Sequence, residues 1–417
     1  AETSIYLFVP GQSSVVQTGG FTGVDETYGI EGKFRLTVDS DAGIASFDEV
    51  DANLTEPTGF LYSQSLGEIF NMTALTGTVI DDTTIEFEGK TADGTESDVS
   101  LSLSLEDYSV QLTGKTTPPP NSADMFLYEL NAAATKKYAG GTGEPNNPYQ
   151  IATAEDLMQL GESPDDYGKH FILTADIDLD PNLPGHKVFN EAVIGAGTLF
   201  DINPWTFIDI NTGAFVGYEG FEGTSFTGVF DGNGHTISHL TIMGESCLGL
   251  FGLLEYGATI SNLGLEAVNV NGTGDCIGGL VGENSGGIIA TCYTSGNISG
   301  SWEVGGLVGY NFRGTVAYCY STGTVSGESR VGRRVGGLVG WNDSKITNCY
   351  AANKVLGNKP VGGLVGGYSD GTFGISSEIT NCYFLTARDD GGPDNGLGRS
   401  LTDEQMKKPS SFFVGTL

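Results

Sequence analysis

The chain has 417 residues, of which 52 are acidic and 19 basic, giving a formal charge of −33. So strong a negative field repels nucleic-acid backbones and anionic lipid surfaces, which leaves cations, neutral glycans and other proteins as partners. The 64 glycines and the many Thr, Val and Ile residues favour β-strands joined by tight turns, so we predict an all-β protein. The apolar runs are only strand-sized, and no transmembrane segment is predicted.

Residues 1–117 consist of short stretches in which apolar and polar residues alternate, as in 34–38 and 99–105, separated by turns rich in Asp, Gly and Thr. Alternation with period two predicts half-buried strands, and a series of such strands predicts an antiparallel β-sandwich or barrel. The first strand is apolar, and a terminal strand of this kind can be added to the sheet edge of a neighbour. Ile5, Leu7 and Val9 are therefore predicted to form a self-assembly strand.

Three consecutive prolines at 118–120 favour a stiff, extended backbone, so residues 118–137 are predicted to be a Pro-rich linker and connecting segment. Residues 138–417 would then form the second domain. A short helix is predicted at about residues 153–161, where Thr153 is a candidate N-cap and acidic residues fill the first turn. A similar pattern predicts a second cap at about residues 401–410, since the apolar ends of a stacked repeat must be covered.

A repeat occupies much of the second domain. Four Gly-Gly-Leu-Val-Gly segments begin at Gly278, Gly305, Gly336 and Gly362, with spacings of 27, 31 and 26 residues, and each is followed by a Cys-Tyr pair. A β-rich repeat of this length predicts a solenoid in which equivalent residues of successive coils stack. The predicted core ladders are formed by Leu280, Leu307, Leu338, Leu364, Cys292, Cys319, Cys349 and Cys382.

These segments, together with 138–143, 148–151, 176–179 and 226–235, resemble the GLUG-motif repeats of bacterial secreted and surface proteins. The resemblance covers about residues 138–412 and leaves the N-terminal 117 residues unassigned. It implies a right-handed parallel β-helix on a secreted or cell-surface protein. It names no reaction, because the same repeat is shared by proteases, adhesins and proteins without known activity.

The six cysteines have two interpretations. An even number in a secreted protein favours disulfides, whereas cysteines at one repeat position favour a ladder of small, buried, free thiols. If bridges form, Cys247 and Cys276 are the pair expected to join adjacent coils, because each precedes a glycine segment.

Three aspartates alternate with apolar residues at Asp176, Asp178 and Asp180, so a strand would place their carboxylates on one face. Hard cations prefer such oxygen clusters, which makes Ca²⁺ a candidate ligand. The alternative is a solvated strand face that binds no ion. No other cofactor is predicted.

Aromatic and basic side chains near the glycine segments are candidates for binding a glycan or a partner: Trp302, Tyr310, Arg313 and Trp341. The alternative is that they are solvated charges and aromatic ladders that stabilise the repeat. The chain carries no Ser/His/Asp order, zinc-protease helix, Walker loop or dinucleotide fingerprint, so the balance is against an enzyme. Stacking alone can nevertheless bring carboxylates or basic residues together on a β-helix.

The uniform repeat predicts an extracellular structural or adhesive surface protein, a rigid solenoid rod that associates with copies of itself in a surface layer or filament. The alternative is a β-helix protein that binds or cleaves polysaccharide. The chain begins Ala-Glu-Thr, as expected of a mature product after removal of a signal peptide. We therefore expect the protein to be secreted or displayed at the cell surface.

Overall fold

The structure is a computed structural model with two compact units, residues 1–149 and 150–417. Strands dominate both units, which confirms the predicted all-β class. Within the described part of the chain, no helix is both long and apolar enough to cross a membrane. The structure describes residues 2–8, 12–18, 26–39, 42–55, 70–81, 84–90, 96–103, 109–117, 127–200, 220–327, 334–357, 360–368 and 377–408.

The first unit is one antiparallel sheet that closes on itself. From β3 to β9 each strand pairs with the next along the chain, and β1 pairs with both β3 and β9. The strand β2 continues the position of β1 between the same two neighbours. This is the barrel form of the predicted fold. Its strands are β1 (Glu2–Phe8), β2 (Ser14–Thr18), β3 (Glu26–Asp39), β4 (Ile44–Thr55), β5 (Thr76–Asp81), β6 (Thr84–Lys90), β7 (Glu96–Leu103), β8 (Ser109–Thr117) and β9 (Leu127–Lys136).

The core of the barrel is aromatic. The alternating pattern turns Phe34, Phe47 and Phe87 inward from β3, β4 and β6, where all three are buried. The ring centroids of Phe34 and Phe47 are 5.5 Å apart, and those of Phe47 and Phe87 are 4.3 Å apart. Contacts of this kind add to the stabilisation from apolar burial. A one-turn 3₁₀ helix, Met72–Ala74, adds the buried Met72 to this cluster.

Two sequence-based predictions concern segments that lie in the first unit. The predicted connecting segment, 118–137, contributes β9 to the sheet, because Leu130, Ala132 and Ala134 alternate into the core; the prolines at 118–120 lie outside the described residues. The predicted self-assembly strand is β1, and its residues Tyr6 and Leu7 pair on both sides within their own sheet. Self-assembly through Ile5 and Leu7 stays a prediction, and Val9 lies outside the described residues.

The second unit is a solenoid of parallel strands. Its strands are β10 (Tyr149–Ile151), β11 (His170–Leu173), β12 (Ile177–Asp178), β13 (Gly197–Phe200), β14 (Gly220–Gly223), β15 (Val229–Asp231), β16 (Thr236–Ser238), β17 (Thr241–Gly244), β18 (Phe251–Glu255), β19 (Thr259–Ser261), β20 (Gly264–Gly272), β21 (Val281–Ser285), β22 (Ile288–Ala290), β23 (Tyr293–Gly300), β24 (Val304–Gly305), β25 (Val308–Phe312), β26 (Thr315–Ala317), β27 (Tyr320–Gly327), β28 (Val335–Gly336), β29 (Val339–Asn342), β30 (Lys345–Thr347), β31 (Tyr350–Leu356), β32 (Val361–Gly362), β33 (Val365–Tyr368), β34 (Glu378–Thr380), β35 (Tyr383–Leu385) and β36 (Arg399–Leu401).

Five successive coils contribute one strand to each of three sheets, and the first two sheets continue beyond them. The first sheet runs β10-β11-β15-β19-β22-β26-β30-β34, the second β12-β16-β20-β23-β27-β31-β35-β36, and the third β18-β21-β25-β29-β33. A short fourth sheet, β24-β28-β32, carries the first glycines of the repeat, and β13 and β14 form a separate antiparallel pair. Neighbours in a sheet come from successive coils, which confirms the predicted parallel β-solenoid.

The interior of the solenoid is built from repeated positions. The repeat leucines are fully buried, and the four cysteines of the Cys-Tyr pairs are buried beside them. Glycine is required at this corner: a Cβ on Gly305 would lie 2.0 Å from the carbonyl oxygen of Val308 in the same coil and 2.7 Å from the backbone nitrogen of Gly340 in the next coil. A Cβ on Gly336 would make the equivalent contacts. The glycines therefore fix the close corner of every coil.

Two short helices lie at the places predicted for the caps. The first is α1 (Ala154–Gly161), in which Thr153 and Asp156 form a reciprocal capping box and Leu157 and Leu160 are buried. The second is α2 (Asp403–Met406), with a capping box between Thr402 and Gln405. Capping boxes satisfy backbone amides that a helix leaves unpaired at its start. One-turn 3₁₀ helices occur at Pro164–Asp166 and Ala387–Asp389.

Candidate binding surface on the solenoid

The outer face of the third sheet carries a row of large side chains. Glu283 on β21 pairs in register with Tyr310 on β25, and Tyr310 pairs with Trp341 on β29. Each is followed by a buried asparagine, because successive side chains of a strand point to opposite faces. The structure thus places two of the four predicted binding residues, Tyr310 and Trp341, side by side.

Trp341 is enclosed by residues of its own chain. The guanidinium carbon of Arg334 lies 3.6 Å from the centre of a Trp341 ring, and Arg334 also forms an ion pair with Glu303 of the preceding coil. On β33, a Cβ added to Gly367 would lie 2.6 Å from the Trp341 ring, so the indole packs directly against that backbone. The cation–π contact and the ion pair hold the ring in place. Little of its face remains for a ligand.

Tyr310 is also committed to an internal contact. Its hydroxyl donates a 2.8 Å hydrogen bond to Oδ2 of Asp343 in the next coil. Burial, reinforced by the negative charge of Asp343, raises the pKa of Tyr310, so the phenol stays protonated at neutral pH and does not act as a base. The other Asp343 oxygen, Oδ1, is buried and has no hydrogen-bond partner among the described residues.

The two remaining predicted binding residues lie elsewhere. The Arg313 guanidinium carbon lies 4.8 Å from the centre of the Phe312 ring, at the turn that follows β25. Trp302 is 39% exposed and directly precedes Glu303 in the chain. The predictions of binding residues did not include Glu303 or Asp343. Their cross-coil contacts follow from the register, and the unequal repeat spacings obscure that register in the sequence.

The tyrosines of the Cys-Tyr pairs form a stack on the second sheet. The ring centroids of Tyr293 and Tyr320 are 4.8 Å apart with an interplanar angle of 2°, and Tyr320 and Tyr350 are 4.8 Å apart at 3°. The ring faces cover one another, so sugars cannot stack on the middle ring. The hydroxyl of Tyr293 donates a 2.7 Å hydrogen bond to Glu266. We interpret this stack as a stabilising ladder.

The two most exposed tyrosines of the described residues were not among the predicted binding residues. Tyr256 is 66% exposed and Tyr318 is 65% exposed, although Tyr318 has a left-handed backbone with φ of 56°. Equivalent corners of other coils hold asparagine at Asn262 and Asn348 and threonine at Thr291, and each of these corner amides donates to a carbonyl of the next coil. Asparagine tolerates this conformation and tyrosine does not favour it. The repeat pattern, once aligned by coil, is the signal that identifies Tyr318.

Two of the three aspartates proposed for Ca²⁺ pair with histidines. Oδ1 of Asp176 lies 3.1 Å from Nδ1 of His235, and Oδ1 of Asp178 lies 2.7 Å from Nδ1 of His239. The hydrogen bond from His239 lowers the pKa of Asp178, and the same bond raises the pKa of His239. Both pairs are solvent-exposed, so we expect each to be weak.

The third aspartate, Asp180, accepts hydrogen bonds from the backbone and side chain of Asn182 at 3.0 and 2.7 Å. Over the described residues, no group of three or more His, Cys, Asp and Glu side chains is placed to hold a metal ion. Calorimetric titration with calcium chloride is the direct test of the Ca²⁺ prediction at Asp176, Asp178 and Asp180.

Sequence comparison identifies the repeat. Residues 300–326 and 332–356 match the GLUG motif. These two coils are GLUG repeats. The match confirms the predicted resemblance in this region and lies over β24–β31, where the Arg334–Glu303 pair and the tyrosine stack occur.

Two curated relatives match part of the chain. Halomucin of Haloquadratum walsbyi is 28% identical over 197 residues, and a putative Gly-rich membrane protein of Evansella cellulosilytica is 34% identical over 175 residues. The matches cover 47% and 39% of this chain but only 2% and 16% of the relatives' lengths. Among solved structures, an IgA1 protease matches with a TM-score of 0.34 and 13% identity, over 96% of this chain and 28% of that chain.

Proposed function

We propose that the chain is an extracellular surface protein with a structural or adhesive role, in which the GLUG solenoid is a rigid element. The observation that carries this proposal is the register of side-chain ladders, which continues through successive described coils with one shift, between Leu265 and Val268. Buried polar groups that are fully hydrogen-bonded make a core rigid, because each misplaced coil would leave a group unsatisfied.

The buried asparagines contribute most to this rigidity. The side-chain amide of Asn284 donates to Asn311 at 3.0 Å and to the carbonyl of Gly287 in its own turn at 3.1 Å. Asn311 repeats the arrangement with Asn342 and Gly314. Each asparagine thus fastens its own turn and the next coil together. A repeated link of this kind suits a protein that must keep its shape outside the cell.

The relatives support a surface location. One relative is named a halomucin and the other a membrane protein. The outward aromatics also support a structural role, since Tyr310 and Trp341 are occupied by Asp343 and Arg334 of the same chain. Catalysis would need groups left available for a substrate.

Self-association is the second part of this proposal. The charge of −33 opposes contact between copies at low salt, and screening shortens that repulsion from ~10 Å at 0.1 M to ~3 Å at 1 M salt. Light scattering from 0.1 to 2 M NaCl should show masses above the monomer at high salt. A monomeric mass at every salt and protein concentration would contradict self-association.

Polysaccharide binding is the second candidate function, and the exposed rings of Tyr256 and Tyr318 favour it. Exposed aromatic faces pack on sugar rings with little loss of side-chain entropy. Retention on a panel of neutral and acidic polysaccharides tests this candidate. Tyr256→Ala and Tyr318→Ala should weaken retention, and Ile288→Ala, which removes an exposed aliphatic side chain, is the matched control. If the unaltered chain binds no member of the panel, this candidate is wrong.

A further inference from the structure

The corner before four successive glycine segments holds a row of side chains at equivalent positions of adjacent coils. The equivalent residues are Cys247, Cys276, Glu303 and Arg334, one from each of four successive coils. Their register is fixed by backbone hydrogen bonds from Leu248 to Cys276, from Ile277 to Glu303 and from Val304 to Arg334. Parallel bridges between the residues that follow them agree with this register.

Glu303 and Arg334, from the third and fourth of these coils, form a link between adjacent coils. The guanidinium of Arg334 binds the carboxylate of Glu303. Cys247 and Cys276, from the first and second of these coils, are free thiols that are 0% and 3% exposed and lie in register with each other. The ion pair therefore joins the third and fourth coils, and the two thiols occupy the same corner position in the first and second coils.

These two thiols differ from the other four cysteines. Each thiol of the Cys-Tyr ladder has backbone acceptors: Cys319, for example, donates to the carbonyls of Ala317 at 3.1 Å and Ile289 at 3.7 Å. Cys292, Cys349 and Cys382 have the same two kinds of acceptor. For Cys247 and Cys276, no carbonyl acceptor of the thiol is found in the described part of the chain, and the two residues occupy the same position in adjacent coils.

We propose that Cys247 and Cys276 form a disulfide between adjacent coils, while the other four cysteines stay reduced. Neighbouring strands lie about 4.8 Å apart, which is within the Cα separations of about 4.4–6.8 Å that disulfides span. The corner backbone is left-handed at both residues, with φ of 51° and 57°. Glu303, the next residue of the row, is also left-handed, with φ of 40°.

The oxidant is a small-molecule disulfide of the extracellular environment, such as oxidised glutathione, so this inference rests on the proposed extracellular location. One cysteine thiolate attacks the small disulfide and releases a thiol, and the second displaces the other half as a second thiol. Two protein thiols lose two electrons and two protons, and one disulfide becomes two thiols. Since both side chains are buried in the folded coils, the exchange takes place as the coils assemble.

Thiol counting on the full chain tests the proposal. The chain is refolded in a mixture of reduced and oxidised glutathione, then denatured, alkylated with iodoacetamide and digested for mass spectrometry. We expect alkylation at Cys292, Cys319, Cys349 and Cys382, and one linked peptide pair containing Cys247 and Cys276. Alkylation of all six cysteines, or a link among the four ladder cysteines, would overturn the proposal.

Serine variants sharpen the assignment. Cys247→Ser should abolish the linked pair and leave Cys276 reactive, whereas Cys319→Ser, the matched ladder control, should keep the link. Dithiothreitol should lower the urea midpoint of the unaltered chain and of Cys319→Ser, but not that of Cys247→Ser. If the serine variants do not fold, the alkylation pattern of the unaltered chain decides alone. Six free thiols in protein isolated from its source, with a bridge formed in glutathione, would contradict the extracellular location only.

Discussion

The side-chain amide of Asn311 donates a 2.7 Å hydrogen bond to Oδ1 of Asn342 in the next coil. Both residues are fully buried, and Asn284 makes the equivalent bond to Asn311 from the coil before. One coil earlier the same position is Leu254, which ends the row with an apolar side chain. The central asparagine therefore has a partner above and below.

Asn311→Ala should destabilise the chain by about 3 kcal/mol, because it leaves buried groups of Asn284 and Asn342 without partners. Urea unfolding measures the change. Asn297→Ala, at an exposed strand position, is the control and should change the free energy of unfolding by less than about 0.5 kcal/mol. Equal changes in the free energy of unfolding for the two substitutions would show that the hydrogen bonds of the buried asparagine row do not stabilise the chain.

Tyr318→Asn should stabilise the chain by about 1 kcal/mol, since asparagine tolerates the left-handed backbone that tyrosine adopts there. Thermal or urea unfolding detects this gain. The contrasting variant is Tyr320→Asn, which removes a ring stacked on two neighbours and should cost about 2 kcal/mol. A loss of stability in Tyr318→Asn would show that its exposed ring makes a favourable contact within the chain.

The Asp178–His239 pair should make a small, pH-dependent contribution to stability. The raised pKa of His239 gives stability that is complete below the unfolded histidine pKa and is lost as pH rises through the folded pKa. The lowered pKa of Asp178 gives stability that is lost as pH falls through that folded pKa. The pair should thus help most at mildly acidic pH, by no more than about 0.5 kcal/mol because both groups are exposed.

Nuclear magnetic resonance titration measures the same coupling directly. Asp178→Asn should lower the pKa of His239, and Asp176→Asn, which alters the neighbouring pair, should affect His239 less. An unchanged His239 pKa in Asp178→Asn would show that the hydrogen bond between the two side chains does not persist in solution.

Salt should stabilise the folded chain. With 52 acidic and 19 basic residues, the compact state brings like charges together, and added salt screens their repulsion. The urea midpoint should therefore rise between 0.1 and 1 M NaCl. The same comparison near pH 4, where many carboxylates are protonated, should show a smaller rise. A midpoint that does not depend on salt at neutral pH would contradict this view of the charge.

The sequence allowed the solenoid to be predicted because particular residue types recur at fixed positions of each coil and so mark its register. Glycine is needed where coils approach closely at Gly305 and Gly336, and the Cys-Tyr pairs mark a second position in each coil. Such positions repeat even where the loops between them vary in length. The leucine and cysteine positions therefore follow from the pattern, and all of them are buried.

Other features depend on contacts that the pattern does not encode. In β9 the side chains that point into the barrel core include Ala132 and Ala134. Because alanine is small and also common outside strands, the alternation of apolar and polar residues is weak here, and the three prolines at 118–120 favour the interpretation as a linker. The pairing of β1 with β9 joins opposite ends of the first unit, and no local pattern specifies it. Arg334 lies 31 residues after Glu303 in the sequence. Only the folded coils bring Arg334 into contact with Glu303 and Trp341.

We propose that this chain is part of a structural layer or filament outside the cell. Electron microscopy of producing cells, labelled with antibody against the chain before and after permeabilisation, tests it most directly. We expect label on intact cells, distributed along a continuous layer or along filaments. Label that appears only after permeabilisation would contradict the account.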